Sequence, residues 1–430
     1  MTLEIKKRIE QIRNGDVPEG YKRTKAGIIP EKWEIKKLSD VLKKQTQKNT
    51  DNAIQNVLTN SATQGIVCQT DFFDKQIANN ENTAGYYVVK PGYFVYNPRI
   101  SVSAPCGPFN RYNGDKDGIM SPLYSVYCFC DKSITYADYL TYYFSSSKWH
   151  AYMNSIANYG ARSDRMNVTK EDMDNMPIPY PPLPEQQRTV AILSAQDKVI
   201  ECYEKKIEKL RLMKKYYLQN MFPKRGETVP KIRFKGFADA WEQRKLSEVV
   251  GVYDGVHQTP HYTESGVMFL SVENIATLTS QKFISEEAFE KDYIVYPQKG
   301  DVLMTRIGDV GTPNVVETAE KLAFYVSLAL LKPIAIDSYY LCNVIQSPLF
   351  KKGLKDRTLV TAIPQKINKD EIGKVDILMP KSSTEQAHIG AYFRQLDNLI
   401  TLHQRLCEEE KKKKKALQQL LLTGIVRTNE

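Results

Sequence analysis

Apolar residues recur at heptad spacing over two long stretches of this chain, and short strand-like runs fill most of the rest. From Leu193 the series runs Leu193, Ile200, Ile207 and Met221, with Tyr203, Leu210 and Tyr217 interleaved and only Gln196 and Lys214 out of character. Such a series predicts a long helix with one apolar seam, which needs a partner to cover it. A second series, Phe393, Leu396, Ile400, Cys407, Leu417 and Leu421, predicts a second helix, with His403, Glu410 and Lys414 weakening its middle. At about 1.5 Å per residue the first, from Pro184 to Phe222, spans on the order of 58 Å. The simplest partner for each helix is the other. An antiparallel pairing would place a globular unit at either end.

The helix starts match as well. "PPLPEQQRTVAILSAQDKVI" at 181–200 returns as "PKSSTEQAHIGAYFRQLDNLI" from Pro380, with Glu185-Gln186, Glu385-Gln386, Asp197 and Asp397 in register 200 positions apart. Pro184 is tolerated there because the first helical turn needs no amide donor. The repeat extends further. "EKWEIKKLSDV" (31–41) reappears as "DAWEQRKLSEV" (239–249), pairing Trp33 with Trp241, and "KPGYFVYNPRI" (90–100) as "QKGDVLMTRI" (298–307), pairing Gly92 with Gly300 and Arg99 with Arg306. "MNVTKEDMDNMPIPYPP" (166–182) is echoed by "KINKDEIGKVDILMPKS" (366–382). A tandem duplication is the reading that accounts for all of these.

Each globular unit opens on its Trp segment and continues through strand-like runs such as "GYYVVKPGYFVY", punctuated by Gly and Pro, before helical stretches such as "SYYLCNVIQSPLFKKGL". Strands that cluster and helices that come late predict an α+β fold rather than a doubly wound sheet. The division is an N-terminal helical segment (1–16), a first α/β unit (17–182), a central helix (183–222), a linker (223–236), a second α/β unit (237–381) and a C-terminal helix (382–425). The fold class is thus α+β, two tandem α/β units with two long helices forming an antiparallel coiled coil.

Length and charge narrow the function. A chain of 430 residues suggests two or more domains, and a net charge of +10 with a pI near 9.0 favours a polyanionic partner. The 26 tyrosines argue against disorder. Seven scattered cysteines, including Cys128 and Cys130 at strand spacing, do not pair like zinc ligands and are expected to be reduced. "MTLEIKKRIEQIRNG" has no signal-peptide apolar core, and the longest apolar run, "LAFYVSLALL" (322–331), is too short to span a bilayer. A soluble, cytoplasmic protein is expected.

Motifs for chemistry are sparse. The chain has no GxxxxGK[ST] phosphate loop, no G-x-G-x-x-G after a strand, and no Asn/Asp-Pro-Pro-aromatic motif of an amino-methyltransferase. "NPRI" (97–100) reads as a strand-ending turn, and "HQTPH" (257–261) as a polar loop, since Pro260 breaks the helix that would bring His257 and His261 together. Ser163-Asp164 has no nearby His, so no nucleophile is assigned. Basic residues are plentiful, with eight Lys and Arg between Lys205 and Arg225 and the run "EEEKKKKK" at 408–415, which also suits a solvated helix face. More telling is the loop "NYGARSDRMN", whose Arg162, Ser163 and Arg165 are short-range polar readers. Its counterpart in "TAIPQKIN" offers Gln365, a residue type suited to adenine, and Lys366.

These segments together, above all "PIPYPPLPEQQRTVAIL", "GIIPEKWEIKKLSDV", "QKGDVLMTRIGDVGT" and the tail "LQQLLLTGIVR", resemble the specificity subunit of type I restriction–modification enzymes over essentially the whole chain. The one departure is "PKSSTEQ" at the second helix start, where the Glu-Gln pair is kept. The resemblance implies a non-catalytic subunit with two target recognition domains, each reading one half of a bipartite, asymmetric site in double-stranded DNA. It implies that the two helices act as a ruler and dock two methyltransferase subunits, and that restriction subunits join the full complex. It assigns no cofactor to this chain and places S-adenosylmethionine, ATP and Mg on the partner subunits. Under this reading the candidate DNA contacts are Gln64, Arg99, Arg162, Ser163, Arg165, Arg306, Gln365 and Lys366. The helix-packing residues are Leu193, Ile200, Tyr203, Ile207, Leu210, Phe393, Leu396 and Ile400. Two other readings stand beside it: a self-contained DNA methyltransferase or nuclease, and a coiled-coil scaffold that binds only proteins.

Overall fold

The computed structural model describes residues 2–72, 83–130, 134–157 and 164–428. The chain forms two compact units, Met1–Glu201 with Glu408–Glu430, and Cys202–Cys407. The division cuts through both long helices, Leu183–Asn220 and Ser383–Leu422, so each unit holds one α/β domain and a part of each helix.

The first unit begins with the helix Leu3–Arg13, capped by the Thr2 hydroxyl, and a hairpin of Tyr21–Thr24 with Gly27–Pro30. Strand Glu34–Lys37 pairs antiparallel with Pro177–Tyr180 just before the long helix. The main sheet is antiparallel, in the order Leu42–Gln45, Ser125–Phe129, Phe94–Tyr96, Phe109–Arg111. The second unit repeats this plan. Glu242–Lys245 pairs with Asp376–Met379, and the main sheet runs Val250–Asp254, Leu328–Pro333, Val302–Thr305, Pro313–Val315. The duplication inferred from the sequence is therefore a duplication of topology. The second unit also has a three-stranded sheet, Phe283–Ile284, Val267–Leu270, Leu322–Phe324, with a parallel pair.

Aromatic side chains fill the first core, where Phe94, Phe109, Phe144 and Trp149 are all buried and the Phe109 and Phe144 rings lie 4.1 Å apart. The second unit has an aliphatic core around Val302, Met304, Leu331, Leu341 and Ile377, closed by Phe222, Trp241, Tyr340 and Phe393. Gly390 is what lets the long helix approach that core, since a Cβ there would stand 2.8 Å from that of Tyr339 and 2.9 Å from the Tyr340 amide nitrogen.

The heptad seams are buried as their spacing requires. Leu193, Ile200, Ile207, Phe393, Leu396 and Ile400 are each at most 9% exposed, while Tyr203 and Leu210 are half-buried. The polar interruptions are all bonded. In the first unit Gln196 Nε2 donates to the Glu410 carboxylate and Lys414 pairs with Asp197. In the second, Lys214 Nζ contacts both Asp397 oxygens, and His403 Nδ1 bonds the Leu399 carbonyl at 2.7 Å with its ring 6.1 Å from Tyr203. Within each unit the paired segments run antiparallel: 196 meets 410 in one, and 203 meets 403 in the other.

The Glu-Gln signature closes each helix start onto the end of the other helix. Glu185, buried, accepts from Arg427 at 2.6 and 2.8 Å and from Trp33 Nε1 at 3.0 Å. Glu385, equally buried, accepts from Arg233 at 2.7 and 2.9 Å, and that hydrogen bond raises the Arg233 pKa above its ordinary value. Gln186 and Gln386 donate to the Pro181 and Pro380 carbonyls. Where the first helix start relies on the Pro182 carbonyl, the second uses the Ser382 hydroxyl to accept from the Glu385 amide, which accounts for "SSTEQ" in place of "PLPEQ". Trp241 is as buried as Trp33, but its Nε1 has no hydrogen-bond partner, whereas Glu185 accepts from both Arg427 and Trp33. Among the described residues the cysteines form no disulfide. Among the described residues no helix is long and apolar enough to cross a membrane.

Candidate nucleic-acid interface

In both units the same end of the main sheet carries a loop from far along the chain, stitched to it by backbone hydrogen bonds. In the first unit Arg99 bridges Arg165, Ile100 N donates to Asp164 O at 3.0 Å, and Met166 N to Pro98 O at 2.9 Å. In the second unit Ile307 bridges Lys366, Gly308 N donates to Gln365 O at 2.8 Å, and Ile367 N to Arg306 O at 3.0 Å. The scaffolds therefore superpose residue for residue in their bonding, and Asp164-Arg165 corresponds to Gln365-Lys366. Identical backbone pairing with divergent side chains is what a recognition surface of fixed shape and variable chemistry needs.

The bonding also corrects one expectation. Arg306 answers to Pro98, not to Arg99, so it lies one residue out of the register assumed from the sequence. A one-residue shift turns a side chain to the opposite face. Arg306 accordingly points inward at 5% exposure, where its Nε donates to Ile367 O at 3.1 Å and its guanidinium pairs with Asp254. It fixes the loop and is not available to touch a ligand. Its burial also lowers its pKa from the usual value.

The other candidates divide by position. Arg99 and Arg165 line an open cleft of about 360 Å³ together with Thr59, Gln69, Asn97 and Tyr124. The Arg99 side chain is 71% exposed and only 3.9 Å from Asp164, a loose surface pair that leaves it free to reorient toward a phosphate or a base. Gln64 is exposed on the turn between strands Leu58–Ser61 and Gly65–Cys68, outside that cleft lining. Arg162 and Ser163 lie outside the described residues. Gln365 and Lys366 are exposed, and Gln365 Nε2 is held by Gly308 O at 3.0 Å. Asn60, which sequence reasoning did not single out, forms the cleft wall; its amide is consumed by Val95 O, Pro108 O and Asn110, so it shapes the cleft and reads nothing. No group of three or more His, Cys, Asp or Glu among the described residues is arranged to hold a metal ion.

Comparison with known proteins agrees with this geometry. Residues 30–212 and 238–410 each match the family described as the type I restriction modification DNA specificity domain. The chain is 29% identical over 280 residues to the type I restriction enzyme MjaVIII specificity subunit of Methanocaldococcus jannaschii, a match covering 61% of this chain and 64% of that protein. It is 23% identical over 429 residues to the MjaX specificity subunit of the same organism, covering 95% and 97%. Among solved structures, a chain from a type I R-M system assembly aligns with a TM-score of 0.56 at 20% identity over 93% of this chain and 99% of its own. The type I restriction–modification S subunit from M. genitalium aligns at 0.54 and 14% identity over 90% and 96%. The two family matches together cover most of the sequence, and the chain belongs to the type I restriction–modification DNA specificity family.

Proposed function

We propose that this chain is the DNA-recognition subunit of a type I restriction–modification complex, reading a bipartite, asymmetric site with one half-site per α/β unit. The observation that carries this is the repeated loop: the same backbone pairing presents Asp164-Arg165 in one unit and Gln365-Lys366 in the other. Two units of one scaffold with different side chains at these positions suit two different half-sites. Arg99, Arg165 and Lys366 supply phosphate or base contacts, and Gln365 a base contact. The chain itself catalyses nothing in this account.

The long helices dock two copies of a methyltransferase subunit. Val199 and Leu399, repeat-mates 200 positions apart, are 41% and 42% exposed apolar residues, each with a further exposed apolar residue on its helix, Ile192 and Leu402, and exposed apolar patches on two helices suit two identical partners. S-adenosylmethionine belongs to those partners. ATP and Mg belong to restriction subunits that join when the complex cleaves, and the whole works in the cytoplasm where the DNA is. The test is reconstitution. The chain with its methyltransferase partner should methylate one bipartite sequence, with affinity falling steeply as salt rises because phosphate contacts release counterions. Methylation or cleavage by the purified chain alone would overturn this reading, as would binding to DNA that ignores sequence once the partner is present.

A further inference from the structure

The loop of the second unit carries one feature that phosphate contact does not use. Between Leu359 and Lys366, which bridge each other through Leu359 N to Lys366 O at 2.8 Å, the chain turns back on itself with Val360 67% exposed and Ile363 100% exposed. The loop base is anchored to strand Val302–Thr305 through Gly308 and buried Arg306, so these apolar side chains are held in water by a stapled stem. They are flanked by Gln365 and Lys366, both exposed. Two side chains are far below the ~800 Å² per partner that a stable protein interface buries, and the flanking cation points to a polyanion.

Gln365 narrows the partner further. Its Nε2 gives one of its two N–H groups to Gly308 O at 3.0 Å, which anchors the side chain at the loop base and leaves Oε1 available as an acceptor. Glutamine reads adenine through an acceptor for the N6 amine and a donor to N7, and Oε1 supplies the first. In the major groove the adenine amine and the thymine methyl lie on the same edge of one base pair. Resting on the DNA-recognition reading above, we infer that Gln365 and Ile363 together read an A·T pair in the half-site of the second unit. Gln365 Oε1 accepts from the adenine amine, and Ile363, with Val360 beside it, covers the thymine methyl.

The experiment uses the full chain with its methyltransferase partner and duplexes bearing its mapped site. Each thymine of the second unit's half-site is replaced in turn by uracil, which lacks only the methyl, and each adenine by purine, which lacks only the amine. One thymine-to-uracil change should weaken wild-type binding about four-fold, the worth of one buried methyl-sized group. Ile363→Ala should lose that discrimination while binding the uracil duplex as well as the wild type does. The purine change at the paired adenine should weaken binding about ten-fold, and Gln365→Ala should abolish that ratio. A wild-type complex with clear sequence preference but no response to either replacement overturns this inference alone. So does an Ile363→Ala variant that weakens all duplexes alike. A complex with no sequence preference overturns the DNA-recognition reading as well.

Discussion

Lys214 and Asp397 meet between the two long helices, with Nζ 2.7 Å from one carboxylate oxygen and 2.9 Å from the other, and Lys414 meets Asp197 in the other unit. Each pair is the other with both residues moved by 200 positions. The lysines are interruptions of the apolar seams, so the ion pairs answer a question the seams left open: why a long helix should carry a charge at an inward position. A charge there is tolerated only where its partner lies opposite, which fixes the register of an otherwise sliding apolar contact.

That register can be tested on Lys214, whose side chain is 17% exposed against 46% for Asp397. Lys214→Asp should destabilise the second unit, and Lys214→Asp combined with Asp397→Lys should recover most of the loss. With one partner half exposed, the coupling in a double-mutant cycle should be about 0.5–1 kcal/mol. Urea denaturation of the four proteins measures it. Strict additivity would mean that the pair does not set the register.

Arg99 and Arg306 should behave as opposites. Arg306→Ala removes the partner of Asp254 and the staple to Ile367 O, and breaking a largely buried pair of this kind costs about 3–5 kcal/mol. Arg99→Ala, at an exposed position, should leave the unfolding midpoint unchanged and weaken DNA binding. A single pair of denaturation curves with one binding titration separates them. Equal stability loss in both variants would contradict the one-residue register shift described for this strand.

The sequence made the duplication and both long helices legible because each depends on local periodicity or on repeated strings. The seam residues Leu193, Ile200, Phe393 and Ile400 were readable for the same reason. What was not readable was orientation. "YNPRI" and "LMTRI" align by eye on their arginines, yet in its backbone bonding Arg306 takes the place that Pro98 has in the first unit, and only long-range hydrogen bonds to 164–166 and 365–367 reveal it. Arg233 and Arg427 were also missed as anchors, since nothing local distinguishes an arginine that will find a buried glutamate 152 or 242 positions away.

On the reading that the paired helices set the spacing of the two half-sites, that spacing should be adjustable. Because Tyr203 faces His403 while Leu210 and Leu396 pack into the same core cluster, lengthening one helix alone would break pairs on one side. Matched insertions of four residues, after Lys206 and after Leu399, should keep both flanks paired. Four residues add about 6 Å of rise and exceed a turn by only ~40°, so the unread gap should grow by about one or two base pairs at ~3.4 Å each. Matched two-residue insertions rotate the seams by about 200° and should abolish assembly. Methylated-site mapping reads both outcomes, and an active complex with an unchanged gap would show that spacing is set elsewhere.

The central claim is that each α/β unit reads its own half of the site. The direct measurement is genome-wide mapping of methylated adenines in a host whose chain has residues 17–180 replaced by the corresponding segment of a relative with a different specificity. The account predicts that one half-site changes to the relative's sequence, while the other half-site and the gap stay as they were. A change in both half-sites, or in neither while the complex still methylates, would contradict it.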